Sequence, residues 1–154
     1  MAIPRGLFPI VKEVARHLLR RPVVGIAAAA RTPDGKWVLI RRTDTGEWAL
    51  PGGTLEWGER LRDAIVRELD EEAGVDVVAL GQVCGVYSDP ARDRRFHAVT
   101  IVVTATVSPP SRPPANPLEI AEVGLFATDE LPRPLAHGMQ DMLGHAVAGT
   151  AFWE

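Results

Sequence analysis

Apolar positions recur in two rhythms along this chain, and the changes from one to the other mark its elements. From Phe8 to Arg20, Phe8, Val11, Val14, Ala15, Leu18 and Leu19 return at helical spacing with Lys12, Glu13, Arg16 and Arg20 opposite, which predicts an amphipathic helix. Pro22 stops it, and VVGIAAAA over Val23–Ala30 predicts a buried strand whose small side chains permit close packing. Pro33-Asp34-Gly35 predicts a turn, with Lys36 to Arg42 as the returning strand of a hairpin. The chain turns again over Asp44–Glu47, then Trp48-Ala49-Leu50 runs into Pro51-Gly52-Gly53, a sharp bend. From Arg60 to Ala73 neither Pro nor Gly intervenes, and Leu61, Ala64, Ile65 and Leu69 form one apolar face; Gly74 is placed to end this helix at C′.

The second half reads more as strand. Val77–Tyr87 is rich in Val, Leu and Gly and predicts a strand with an irregularity at Gly81 or Gly85. A polar loop, SDPARDRRFH, follows, and then His97–Val107, nearly continuous in β-branched residues. Ser108–Pro117 holds five prolines in ten residues, which rules out a strand and predicts an extended surface loop. Glu119–Ala127 predicts a short strand, Thr128–Pro132 a turn and Leu135–Val147 a last helix.

Length and charge narrow the function classes. At 154 residues without repeats or a composition break, one domain over 1–154 is expected, with 1–22 as a helical extension. A net charge of −3 argues against binding a nucleic-acid polymer, which needs a basic footprint. The single cysteine, Cys84, has no internal disulfide partner and sits in an apolar run, so it reads as core. Pro9, Lys12 and Glu13 break any secretory signal, and the apolar run Val23–Ala30 falls far short of the roughly 20 residues of a membrane helix, so a cytoplasmic location is expected. His17, His97, His137 and His145 form no metal-binding pair and read as structural or exposed; P-loop and serine-elbow motifs are absent.

The remaining chemistry is acidic. Glu68, Glu71 and Glu72 stand at i, i+3 and i+4 and project from one helical patch, flanked by Arg67 and Asp70. Two such charges about 4 Å apart repel by about 1 kcal/mol in bulk water and about 4 kcal/mol at an effective dielectric of 20. Arg67 offsets one of them, and no lysine follows Lys36. A hard cation, Mg²⁺ or Mn²⁺, suits such an oxygen-rich patch, and phosphate oxygens can complete its shell.

The spacing of these residues resembles the Nudix box, G-x5-E-x7-R-E-U-x-E-E-x-G-U, over residues 53–75: Gly53, Glu59, Arg67, Glu68, Leu69, Glu71, Glu72, Gly74 and Val75 fill all its fixed positions. At ordinary residue usage a chance match is on the order of one in a billion per window. The resemblance implies an α/β/α sandwich with a mixed sheet, here with the extra N-terminal helix, and a metal-dependent hydrolase of nucleoside diphosphates linked to another moiety. It implies Glu68, Glu71 and Glu72 as metal ligands with Mg²⁺ or Mn²⁺, Glu68 being the base in some members. Arg67 and Glu59 would hold the helix and its loop, and the backbone at Gly53 or Gly52 would add a ligand.

Substrate and base are read from outside the box. Arg92, Arg94 and Arg95 carry guanidinium groups suited to paired hydrogen bonds with a diphosphate. SDPARD resembles the same region of Nudix proteins acting on ADP-ribose, and Pro90 stands 15 residues beyond Val75, where that branch carries a proline. ADP-ribose or another NDP-sugar is therefore the expected substrate, with nucleoside triphosphates of the oxidised dGTP type as the alternative and a non-catalytic nucleotide-binding regulator as the reading from another class. Glu119 and Glu122, at the end of the Pro-rich segment, are candidates for a base carried on a mobile loop, against Glu68 within the box. The N-terminal helix is expected to dock on its own domain or on a second subunit in a homodimer, with no membrane role.

Overall fold

The structure, a computed structural model, describes residues 9, 10, 12–15 and 21–154. Residues 9, 10 and 12–15 are helical, and the rest of the helix expected over Phe8–Arg20 lies outside the described residues. The elements that follow are β1 (Val23–Arg31), β2 (Trp37–Arg42), β3 (Trp48–Ala49), β4 (Gly52–Thr54), α1 (Leu61–Ala73), β5 (Val77–Tyr87), β6 (Ala98–Val107), β7 (Ile120–Phe126), α2 (Met139–Ala148) and β8 (Phe152–Trp153).

The small-residue strand β1 lies at the centre. It pairs in parallel with β6 from Val23↔Ala98 to Arg31↔Thr106, and its other edge takes β4 antiparallel at Gly25↔Thr54, Ile26↔Gly53 and Ala27↔Gly52. β5 continues the sheet antiparallel to β6, and β8 adds to β5 in parallel. The expected irregularity in β5 takes the form of register shifts between Leu80 and Val83 and between Val83 and Gly85.

The hairpin expected from β1 and β2 is only partly formed. The turn closes, with the Gly35 N–H donating to Thr32 O at 2.8 Å, but Arg31↔Trp37 is the one register pair before the strands part. The cause is burial on both faces: Val38 and Ile40 enter one core, Trp37 and Leu39 the other. β2 instead finds antiparallel partners in β7 and β3, within one eight-stranded sheet that the parallel β1–β6 and β5–β8 pairs make mixed.

α1 covers one face through Ala64, Ile65, Leu69 and Ala73 against Ile26, Ala28, Val38 and Ile40. α2 covers the other through Met142 and Leu143 against Ala27, Ala29, Tyr87 and Val102. The alanines of β1 let both helices approach; a fully buried leucine such as Leu69 contributes about 1.5–3 kcal/mol to holding α1 down. Cys84, half-buried, packs at the α2 side with its thiol donating to Val102 O at 3.5 Å. The last helix begins four residues later than its apolar spacing suggested, because Ala136–Gly138 forms a separate short turn with His137 at φ 52, ψ 35. Among the described residues no helix is long and apolar enough to cross a membrane.

The Pro-rich segment is extended and lies on the surface, but it is not loose. Ser111 and Arg112 donate backbone N–H groups to Gly74 O, Ala115 donates to Glu71 O, and Ser108 donates to Asp76 O. Arg112 also bonds Asp70 at 2.7 Å and Asp76 at 2.9 Å. α1 has no basic residue in its last turn, so this strap supplies the cation and the donors that its C-terminal carbonyls need.

Candidate active site

The bend Pro51-Gly52-Gly53 becomes β4, and a turn over residues 55–60 leads into α1, so the backbone of β4 faces one side of the helix. Two glycines make that approach feasible: a Cβ on Gly52 would collide with Ile26 O, and one on Gly53 with the Glu68 carboxylate. The Gly52 N–H donates to Glu72 Oε2 at 2.7 Å. Gly74 ends α1 in the left-handed region at φ 61, with its N–H returned to Asp70 O, as the sequence predicts.

Arg67 organises the outer half of the patch. It donates to both oxygens of Glu59 at 2.9 and 3.0 Å, to Glu68 Oε1 at 2.8 Å, and to Glu71 Oε2 at 3.4 Å. Glu59 in turn accepts the Glu56 N–H, which ties the turn to the helix. The hydrogen bonds from Arg67 hold the Glu59 carboxyl below the usual range. Glu68 moves the other way: burial raises it, and Arg67 only partly compensates. Glu72, 7% exposed, is pushed up to about 8 by burial, against the Gly52 N–H and with the help of Glu68 and Glu119. Carboxylates raised in this way are short of positive charge.

These residues fit a hard divalent cation in donor type: three carboxylates of graded exposure and a glycine backbone pressed against one of them. As the side chains stand, among the described residues no three acidic, histidine or cysteine groups converge on an ion-sized point, since Glu68 turns to Arg67 and Glu72 to the Gly52 amide.

The patch lines part of a cavity of about 370 Å³. The rest of its lining comes from four separate segments. Arg42, at the end of β2, donates to both oxygens of Asp44 at 2.9 and 3.0 Å and lies 3.7 Å from Glu119. Asp93 and Arg95 form a two-bond pair at 3.0 and 2.7 Å, and Phe96, Met139 and Met142 supply apolar wall. Asn116 and Glu119 reach the cavity from the strap, and His137 lines it from the turn before α2.

The predicted site residues therefore divide. Glu68, Glu71, Glu72, Gly52, Gly53, Arg92, Arg95 and Glu119 line the cavity. Arg94 is exposed and does not. Arg92 is present but committed elsewhere: it bonds both oxygens of Asp141, Gly138 O and Glu154, and lies over the Tyr87 ring at 4.8 Å. A phosphate would have to compete with those carboxylates, as it would at Arg42 beside Asp44 and at Arg95 beside Asp93. Glu122 is a strand residue in register with Arg41 and paired to it at 2.6 Å, outside the cavity, so it is not the acid of a mobile loop; Glu119 sits on an anchored strap, not a free lid. Arg42, Asp93 and Asn116 were not singled out by sequence reasoning, and His137 was read there as structural or exposed, because no local pattern links positions so far apart.

The family model for the NUDIX domain matches residues 19–145. The chain belongs to the Nudix family. Among solved Nudix structures it resembles a MutT NUDIX hydrolase from Burkholderia pseudomallei, with 33% identity, a TM-score of 0.70, and coverage of 82% of this chain and 98% of that one. It is 44% identical over 72 residues to an ADP-ribose pyrophosphatase from Methanocaldococcus jannaschii, covering 45% of this chain and 42% of that protein. A nucleoside triphosphatase NudI from Escherichia fergusonii is 35% identical over 68 residues, covering 41% and 48%. The chain thus spans less than half the length of these curated relatives.

Proposed function

We propose that this Nudix protein hydrolyses the pyrophosphate bond of a nucleoside diphosphate linked to another moiety, with ADP-ribose or an NDP-sugar as substrate and Mg²⁺ or Mn²⁺ held by Glu68, Glu71, Glu72 and the Gly53 backbone. The observation that carries this reading is one cavity lined by a buried, charge-starved carboxylate, Glu72, by Arg42 and Arg95, and by apolar wall. A divalent ion held by these residues would offset charge on the diphosphate and lower the pKa of an attacking water.

The chain's own groups do the rest. Arg67 holds Glu68 and Glu71 in place while its two bonds to Glu59 fix the preceding turn. Arg95 and Arg42, both lining the cavity, attract the phosphates. Glu119 is half-exposed and lines the cavity, so it is available to take the proton from water; Glu68, bonded to Arg67, is the rival base. Water oxygen bonds to one phosphorus as the bridging P–O bond breaks, and the electron pair leaves on the departing phosphate. ADP-ribose would yield AMP and ribose 5-phosphate.

The relative from Methanocaldococcus jannaschii supports the ADP-ribose reading, and the one named a nucleoside triphosphatase supports the alternative. Turnover of ADP-ribose, UDP-sugars, dGTP and its 8-oxo form with Mg²⁺ or Mn²⁺ tests both. A higher kcat/KM for a diphosphate sugar is expected. A tenfold preference for a triphosphate would overturn the substrate, and binding without any turnover would point to a regulator.

A further inference from the structure

Among the described residues His137 is the one imidazole at the cavity, and bond cleavage by the groups above leaves it unused. Its backbone is left-handed at φ 52, a region that a Cβ disfavours and that glycine adopts freely. Its ring is mostly buried. Nδ1 lies 4.0 Å from Asp93 Oδ2, while Nε2 is buried with no hydrogen-bond partner among the described residues. Asp93 is fixed by two side-chain bonds and a backbone N–H from Arg95. A polar atom left unsatisfied on a strained residue in a ligand cavity is stabilised when a ligand brings the partner.

The chemistry of that partner follows from the ring's charge. Burial lowers the His137 pKa first, and Arg95 and Arg42 lower it further, against Asp93 and Asp44, which favours the neutral ring. Asp93 Oδ2, at 4.0 Å too far for a hydrogen bond, favours the proton on Nδ1 electrostatically, and in that tautomer Nε2 is an acceptor. An ionised phosphate has no hydrogen to offer it. Sugar hydroxyls and nucleobase amines do.

We propose that His137 is a specificity-determining residue whose Nε2 accepts a hydrogen bond from an O–H or N–H of the substrate moiety beyond the pyrophosphate. This rests on the reading of the cavity as a nucleotide pyrophosphate site. Nε2 has no accessible surface as the ring stands, so the contact requires the ring to turn about χ2, a broad torsion.

The test compares wild type with His137→Gly, which suits the left-handed backbone and so keeps the fold, and His137→Gln, which restores an acceptor. On ADP-ribose, His137→Gly should raise KM about tenfold with kcat within threefold and an unchanged or higher Tm, and His137→Gln should recover part of the loss. The inosine analogue, lacking the exocyclic amine, and the 2′-deoxy analogue identify the donor: one should weaken wild type but not His137→Gly. An unchanged KM in His137→Gly, a fall in kcat alone, or equal losses for both analogues in both proteins would overturn the assignment. Should wild type leave ADP-ribose intact, that rejects the substrate alone. The same comparison with dGTP, dITP and GTP, by calorimetric Kd where none turns over, then decides His137.

Discussion

Replacing Glu72 with glutamine separates the two demands that meet at this carboxyl. In the metal-free protein its pKa is pushed up to about 8 from an ordinary 4.5. A folded-state value above the unfolded one means that folding favours the protonated form. The stabilising contribution is full below about pH 4.5 and is lost as pH rises through about 8. The difference corresponds to at most about 5 kcal/mol, and relaxation of the site lowers the effective figure to roughly 3 kcal/mol. For a chain of this length that is a Tm change of about 6–12 °C. The carboxamide of the Glu72→Gln variant would stay neutral at every pH while keeping an oxygen for the Gly52 N–H, which Glu72 now accepts at 2.7 Å.

In a chelator, therefore, wild-type Tm should fall between pH 5 and pH 9, and the Glu72→Gln profile should be much flatter, with Glu68 accounting for the remainder of the slope. Carboxyls held low by arginines, such as Asp93 and Asp141, act below this window and do not confuse it. Mg²⁺ should reverse the order: at 100 times its Kd an ion adds about 2.7 kcal/mol to the form that binds it, and the glutamine variant forgoes most of this. Turnover should be nearly abolished. Parallel chelator profiles for the two proteins would refute the burial argument, and retention of more than about a tenth of kcat would leave under roughly 1.4 kcal/mol of barrier to the ligand role.

Two other substitutions probe the frame around that carboxyl. Gly53→Ala should sharply reduce kcat with little change in Tm, because the added methyl meets only the end of the Glu68 side chain, whereas loss of stability with turnover intact would place the pressure elsewhere. Arg112→Ala removes the bonds to Asp70 and Asp76, so hydrogen exchange and proteolytic nicking should rise across residues 108–119, with KM rising as Asn116 and Glu119 lose their placement; unchanged exchange would show that the backbone bonds to Gly74 suffice.

Much of the fold was legible because it is local. α1 and its Gly74 stop, the β5 irregularity and the β6 strand follow from periodicity and residue type within short windows. What was not legible is pairing. Nothing in VVGIAAAA says that its neighbour is β6, more than 70 residues away in sequence, or that β2 would leave the hairpin for β7. Those choices are made by burial of both faces at once, which a one-dimensional pattern does not encode. The Pro-rich segment shows the same limit: its composition excludes a strand, yet its docking depends on carbonyls freed at the end of a helix elsewhere.

The candidate site divides along the same line, and this explains why chemistry was easier to read than substrate. The acidic patch is one helix and one bend, so Glu59, Arg67, Glu68, Glu71 and Glu72 stand at spacings that a single turn geometry imposes. The rest of the lining takes Arg42 from a strand terminus, Asp93 and Arg95 from a loop, Asn116 from the strap and His137 from a turn. No spacing connects these, and composition alone does not show that Arg92 meets three protein partners. Substitutions among the scattered residues can thus change what is bound while the helix keeps its geometry. Variants of Arg42, Asp93 or His137 should accordingly redistribute kcat/KM among substrates, where variants of Glu71 or Glu72 should lower it for all of them alike. A uniform loss from the scattered residues, measured across the diphosphate and triphosphate panel, would show that both groups serve the bond-breaking step and that this division is wrong.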